Sequence, residues 1–253
     1  MQIIISPAKK MLVDRDSFNV ETMPKFLDKS RILEKYLKSR SQDELQKLWK
    51  SSDRITKEGL KQLEVMDLDH NLTPALVAYH GIQYQYMAAD IFSQKGLDYA
   101  KDHLKILSGF YGILRPFDGV TPYRLEMNAK MTGFRDYSLY HYWGDLIAKE
   151  LYKDNDIVIN LASKEYSRAI RPYTDSQRKM IDIDFLEERN GKWKTIGTHA
   201  KMARGEMARY ICENQIKNPT ELQDFHDFEF IFDKENSTET NYIFRTNFDF
   251  KRR

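Results

Sequence analysis

The chain has 253 residues, 41% of them hydrophobic, 31% charged and 13% aromatic, the balance of a packed globule and not of a disordered segment. Forty Lys and Arg face 38 Asp and Glu, and a net charge of +2 excludes a polycation that coats nucleic acid through bulk charge alone. The single cysteine, Cys212, excludes an intramolecular disulfide and any Cys-x-x-Cys pair, and no run approaches the roughly 20 apolar residues needed to span a bilayer, so a cytoplasmic protein without membrane contact is expected.

In chain order, Gln2–Ile5 reads as a short buried strand ended by Ser6-Pro7, with no cleavable leader pattern before it. Pro24 opens a helix with Phe26, Ser30, Leu33 and Leu37 near helical spacing. Ser41 with Glu44 three residues on is a capping-box start for a second helix through Leu45, Leu48 and Trp49, and a third runs through Ile55, Leu60 and Leu63. Ala75–Tyr79 reads as a buried strand, and Leu97–Leu107 as a helix ending at a glycine turn. Trp143, Leu146, Ile147 and Leu151 mark a further helix. Asp156–Asn160 is a strand followed by a helix start at Ser163. Met180–Phe185 alternates apolar and acidic residues as a half-exposed strand does, and Asn190-Gly191 joins it to Lys192–Ile196 as a hairpin. A helix over Thr198–Gln215 buries Ala200, Ala203, Met207, Tyr210 and Ile211, and two strands, Phe228–Phe232 and Tyr242–Phe244, flank a polar loop. With no linker or repeat, the expectation is one α+β domain over 1–253, a mixed sheet with flanking helices.

Chemistry concentrates in a few segments. Leu107–Leu114 (LSGFYGIL) has the small-Gly-apolar-Gly character of a helix–hairpin–helix turn, with one extra residue between the glycines. Ser108, Gly109 and Gly112 there offer backbone N–H groups to a phosphate, or Gly109 is a plain left-handed helix cap. Arg115 follows closely. Lys9, in the loop leaving the first strand, is either an anion donor or an exposed loop lysine. Tyr123-Arg124-Leu125-Glu126 sets a guanidinium beside a carboxylate, which binds an anion or forms a structural ion pair. Lys201 and Arg204 lie one helical turn apart beside Gly205, whose missing side chain admits either a ligand or another helix. Further basic groups cluster at Lys164, Arg168 and Arg171, and at the tail Lys251, Arg252 and Arg253. Ser163 is read as a helix cap and Cys212 as a packing residue. The six histidines show no metal-ligand spacing, so no metal and no cofactor are expected.

Five colinear segments carry a family resemblance: Ile5–Met11 (ISPAKKM), Leu107–Met127 (LSGFYGILRPFDGVTPYRLEM), Tyr140–Asp145 (YHYWGD), Val158–Tyr166 (VINLASKEY) and Ala200–Ile211 (AKMARGEMARYI). Together they resemble the YaaA family of peroxide-stress proteins over nearly the whole chain. The resemblance implies a cytosolic protein of the oxidative-stress response that limits free iron and its damage to DNA. It also implies an α+β fold with a helix–hairpin–helix-like element and a positively charged cleft suited to DNA. Two functions follow from these readings. In the first, Lys9, Ser108, Gly109, Gly112, Arg115, Arg124, Lys201 and Arg204 bind DNA through its backbone. In the second, the same cleft holds a nucleotide or nucleobase on which an enzyme acts, with Glu126 or Glu165 as the general base.

Overall fold

In the computed structural model, which describes residues 1–134 and 137–250, strand β1 (Gln2–Ile5) is buried along its whole length and Ile3, Ile4 and Ile5 have no exposed surface. A central strand covered on both faces has this continuous apolar run, and each such side chain contributes about 1.5–3 kcal/mol relative to exposure. After the short strand β2 (Lys10–Met11) come three helices, α1 (Leu27–Lys38), α2 (Gln42–Trp49) and α3 (Asp53–Glu64), as the sequence predicts. The Ser41 capping box forms: its hydroxyl accepts from the Glu44 N–H and the Glu44 carboxylate accepts from the Ser41 N–H at 2.8 Å.

The chain continues through β3 (Thr73–Pro74), α4 (Ala75–Ala78), β4 (Tyr79–His80), α5 (Ile82–Met87) and α6 (Gln94–His103). Next come β5 (Leu104–Ser108), β6 (Gly112–Leu114), β7 (Gly119–Val120), α7 (Leu139–Trp143), α8 (Leu146–Leu151), β8 (Ile157–Leu161) and α9 (Lys164–Ser167). It ends with β9 (Lys179–Arg189), β10 (Lys192–Lys194), α10 (Gly197–Glu213), β11 (Ile231–Phe232) and β12 (Asn241–Thr246). The result is α+β, with an eight-stranded mixed sheet in the order β11-β12-β9-β8-β1-β5-β6 and β10 paired on β9. The middle strands β12, β9, β8, β1 and β5 are all parallel, and β6, β10 and β11 are added antiparallel.

This order decides where a ligand fits. The chain leaves β1 for β5 on one side and later returns to β8 on the other. Connections therefore diverge between β1 and β8, and the crevice outside the carboxyl ends of parallel strands opens at such a switch point.

Several elements differ from expectation. Ala75–Ala78 is a single helical turn and not a strand, since a short apolar run has no period to separate the two. The predicted helix over 97–107 stops at His103, and Leu104–Ser108 is strand β5, captured by parallel pairing of Leu104, Lys105 and Ile106 with Ile3, Ile4 and Ile5. The helix through Trp143 and Leu151 is broken in two at Gly144, which has φ 49°. Of the strand expected over 228–232, only Ile231–Phe232 pairs. Asn190 and Gly191 both take positive φ in the predicted hairpin. The basic tail Lys251, Arg252 and Arg253 lies outside the described residues.

The helix–hairpin–helix element is corrected as well. Its glycine turn joins β5 to β6 in an antiparallel hairpin, with Ser108 opposite Gly112, so no helix enters or leaves it. The turn is buried throughout. Its Phe110 and Tyr111 N–H groups donate to the Ser108 hydroxyl, at 3.1 and 2.8 Å, while its Gly109 carbonyl accepts from the Trp143 indole at 3.0 Å. Gly112, at φ 76°, packs against the Trp143 ring.

Candidate functional site

Four segments meet outside the carboxyl ends of β1 and β8. The loop after β1 is tied to the start of α9 by the Ser163 N–H, which donates to the Ser6 hydroxyl at 2.8 Å. That bond is what Ser163 provides here; its side chain makes no cap hydrogen bond, contrary to the sequence reading. The N-terminal turn of α5 is pinned to the same strand ends. Tyr84 donates its hydroxyl proton to the Ser6 carbonyl at 2.8 Å, and the Gln83 amide donates to the Leu161 carbonyl at 3.3 Å.

Gly205 brings α10 onto α5. A Cβ there would collide with the Gln83 carbonyl oxygen and lie 2.8 Å from the Met87 nitrogen, so the helix backbones approach as only glycine permits. The missing side chain thus serves helix packing, and that packing carries Lys201 and Arg204, earlier on α10, to the crevice. Gly109 acts in the same way on the fourth segment. A Cβ on it would lie 2.5 Å from the Leu125 carbonyl oxygen and 2.9 Å from the Glu126 carbonyl carbon. The hairpin turn is the bed on which Arg124–Glu126 rests.

These segments enclose a cavity of about 550 Å³, within the usual range for small-molecule sites. Lys9, Arg124, Glu126, Glu165, Lys201 and Arg204 all line it. Lys9 reaches across to Glu126 at 2.9 Å, with the lysine 68% exposed, so the pair is a solvated bridge of little energetic weight. Glu165 is half-buried, and its carboxylate accepts from the Asn128 N–H at 3.1 Å. Burial raises its pKa and the nearby Glu126 adds to the effect, while the Asn128 N–H and Lys9 oppose it. Tyr123 forms part of the wall, with its hydroxyl bonded to Tyr79 at 2.9 Å and to Ser108 at 2.7 Å, and burial pushes it up to about 12. It is a neutral phenol at physiological pH.

The cations are held differently. Among the described residues, Arg124, Lys201 and Arg204 form no ion pair within 4.0 Å, and the Arg204 Nε is buried without a hydrogen-bond partner. Desolvation lowers the Arg204 pKa, against Asp184 and Asp182, which favour its charge from beyond pairing distance. A buried guanidinium nitrogen without an acceptor is costly. An anion arriving in the cavity would relieve that cost.

Arg204 also lines a second cavity of about 710 Å³ between α9 and β9, so the two adjoin. Lys164, Arg168, Arg171, Arg178 and Lys179 face this groove. Arg171 is committed to Asp182, with both bonds at 2.9 Å, and Arg168 stacks over the Tyr140 ring at 4.7 Å. Lys164 and Arg168 have no carboxylate partner among the described residues. The run from Lys201 through Arg204 to Lys164 and Arg168 is a basic path that joins the two cavities.

Of the residues singled out in the sequence, Lys9, Arg124, Glu126, Glu165, Lys201 and Arg204 come together in one cavity. Ser108, Gly109 and Gly112 lie behind its wall in the buried hairpin and line neither cavity. Arg115 is elsewhere, held by Asp118 at 2.9 Å and by the Met23 carbonyl at 3.0 Å. The sequence reading missed His80–Tyr84 as a cavity wall, and Arg178 and Lys179 in the groove. The Gly81 break between β4 and α5 was the available signal for the first. Among the described residues, no group of three or more His, Cys, Asp or Glu is placed to hold a metal ion, and no helix is long and apolar enough to cross a membrane.

Comparison with known proteins agrees with the colinear motifs. A family model described as "Peroxide stress protein YaaA" matches residues 1–236. A protein of Lactobacillus helveticus named UPF0246 protein is 62% identical over 252 residues, covering 100% of both chains. Its namesake in Lactobacillus johnsonii is 56% identical over 245 residues, 97% of each chain, and one in Agathobacter rectalis is 46% identical over 244 residues, 96% of this chain and 98% of its own. The chain belongs to the peroxide stress protein YaaA family.

Proposed function

We propose that this peroxide-stress protein binds DNA in the cytoplasm through the basic path formed by Arg124, Lys201, Arg204, Lys164 and Arg168, and that occupancy of DNA is how it limits iron-dependent damage. The observation that carries the reading is the state of these cations. They converge from three separate segments on one path, none has a carboxylate partner within ion-pair distance among the described residues, and Arg204 keeps a buried nitrogen unsatisfied. Solvated surface charges balanced by neighbouring acids, as at Arg54–Glu58 or Arg31–Asp69, make no such arrangement.

Contacts of this kind recognise phosphate and not sequence. The hairpin glycines contribute indirectly, by seating Arg124–Glu126. Fluorescence anisotropy with labelled duplex, bulged and single-stranded DNA at two salt concentrations tests the reading. It requires saturable binding that weakens steeply as salt rises. Absence of binding to all three forms by folded protein removes it.

A second reading, an enzyme acting on a nucleotide, is favoured by one feature that backbone binding does not require: Glu126 and Glu165 share the cavity, and burial raises the pKa of Glu165. A carboxyl whose pKa burial raises, set beside a second carboxyl, is a usual arrangement for acid–base work.

A further inference from the structure

The cavity holds two carboxylates, Glu126 and Glu165, as well as its cations, and phosphate binding explains only the cations. Glu165 accepts from the Asn128 N–H at 3.1 Å, beside the Arg124–Glu126 segment, whereas Arg204 lies where the cavity adjoins the groove lined by Asp182 and Asp184, so the carboxylates and Arg204 enter from different walls of one cavity. Tyr84, Tyr123 and Tyr166 add aromatic surface to the wall. A strand of backbone phosphates has no use for the carboxylates, which repel sulfate or phosphate.

We propose that the 550 Å³ cavity is a pocket for one nucleoside monophosphate unit, with its phosphate on Arg204, Arg124 and Lys201 and an amino-bearing base, adenine or cytosine, donating to Glu126 and Glu165. Each part follows from matched chemistry. Guanidinium and ammonium groups bind phosphate, carboxylates accept from exocyclic base amines, and aromatic side chains take base faces. The cavity volume suits a ligand of this size and not a duplex. The inference rests on the cleft of the DNA reading but gives this cavity a ligand of its own. That unit has two sources: a free mononucleotide, or a nucleotide of a DNA strand extruded from its stack, which costs a few kcal/mol and least at a bulge or end.

The test uses the full-length protein in two arms. In the first, AMP, CMP, UMP, ribose 5-phosphate and inorganic phosphate are titrated and followed by calorimetry. In the second, bulged DNA carrying 2-aminopurine at the bulge is titrated with protein, its fluorescence reporting unstacking. Saturable binding of AMP or CMP at least about tenfold tighter than of ribose 5-phosphate, about 1.4 kcal/mol, establishes the pocket for free nucleotides. A 2-aminopurine rise without free-nucleotide binding assigns it to an extruded one. In the first case Glu165→Gln reduces the preference for AMP over UMP while phosphate-dependent binding persists, and Arg124→Ala weakens all nucleotides together; in the second, both substitutions reduce the 2-aminopurine rise.

Equal affinity for AMP and ribose 5-phosphate overturns the inference, as does silence in both arms. Salt-sensitive DNA binding in that silent case leaves the DNA reading standing. Nucleotide binding with no DNA binding removes that reading and keeps the pocket.

Discussion

Replacing Gly109 with alanine adds one methyl group at the point where the β5–β6 hairpin supports the cavity wall. The new carbon would lie 2.5 Å from the Leu125 carbonyl oxygen, 2.9 Å from the Glu126 carbonyl carbon and 3.0 Å from the Met127 nitrogen. All three are backbone atoms, so no side-chain rotation relieves the contact. Ordinary separations are about 3.5–4.0 Å, so residues 125–127 must retreat by about 1 Å or the hairpin must tilt. The hairpin is itself held by the Trp143 indole on the Gly109 carbonyl and by Ser30 on the Phe110 carbonyl, both at 3.0 Å, so the wall yields first. Overpacking of this kind costs about 1–3 kcal/mol, and each kcal/mol lowers Tm by about 2–4 °C in a domain of this size. Thermal unfolding by circular dichroism should therefore show a loss of several degrees. DNA affinity at a temperature where the variant is folded should also fall, because Arg124 and Glu126 move with the wall. Gly197→Ala is the control, since a Cβ there meets nothing within 4 Å. A Gly109→Ala protein with unchanged Tm and unchanged binding refutes the role given to this turn.

Gly205→Ala should be at least as damaging, because its methyl group meets the Gln83 carbonyl and the Met87 nitrogen of α5; a melting temperature within a degree of wild type contradicts the α10–α5 packing described. Cys212 is fully buried and burial pushes its thiol up to about 12, so a thiol reagent should label it only on unfolding, and rapid labelling of native protein would reopen a redox role. Burial and Glu126 raise the Glu165 carboxyl, over the lowering effects of the Asn128 N–H, Lys9 and Lys50. A carboxyl raised in the folded state contributes stability that is complete below its unfolded pKa and lost as pH rises through the folded one. Glu165→Gln removes that loss, so its Tm relative to wild type should climb as pH rises above the ordinary carboxyl range; a flat or falling difference counts against the assignment.

The α+β class was legible in the sequence, and so were six charged residues that meet in the cavity, while Ser108, Gly109, Gly112 and Arg115 do not line it. Lys9, Arg124, Glu126, Lys201 and Arg204 are charged groups on loop or helix segments near a glycine or proline, Glu165 follows a strand end, and all six meet in one cavity. Local residue chemistry marks such positions without any knowledge of topology. The hairpin glycines were misread for a physical reason. Leu104–Ser108 continues the helical pattern of α6, and only its pairing with β1, about a hundred residues away, makes it a strand. Once the approach to the turn is a strand, the turn is buried and its N–H groups are spent on Ser108. Parallel pairing leaves no mark in a short window, and neither does the close approach of His80–Tyr84 to Lys201 and Arg204, which depends on Gly205 meeting α5. Gly109 and Gly205 were both visible as notches; what filled each notch was not.

The central claim is that unpartnered cations of the cleft neutralise DNA phosphates. The most direct measurement is the slope of log affinity against log salt for duplex DNA, for wild type and for Arg124→Ala/Lys201→Ala. Lys201 is exposed and Arg124 partly so, and neither is tied to a carboxylate within ion-pair distance, so the fold should tolerate both changes. Each phosphate contact contributes about 0.9 to the slope, so the account predicts a slope shallower by roughly 1.8 in the double variant, with affinity reduced for every sequence alike. An unchanged slope and affinity in a folded double variant would contradict it.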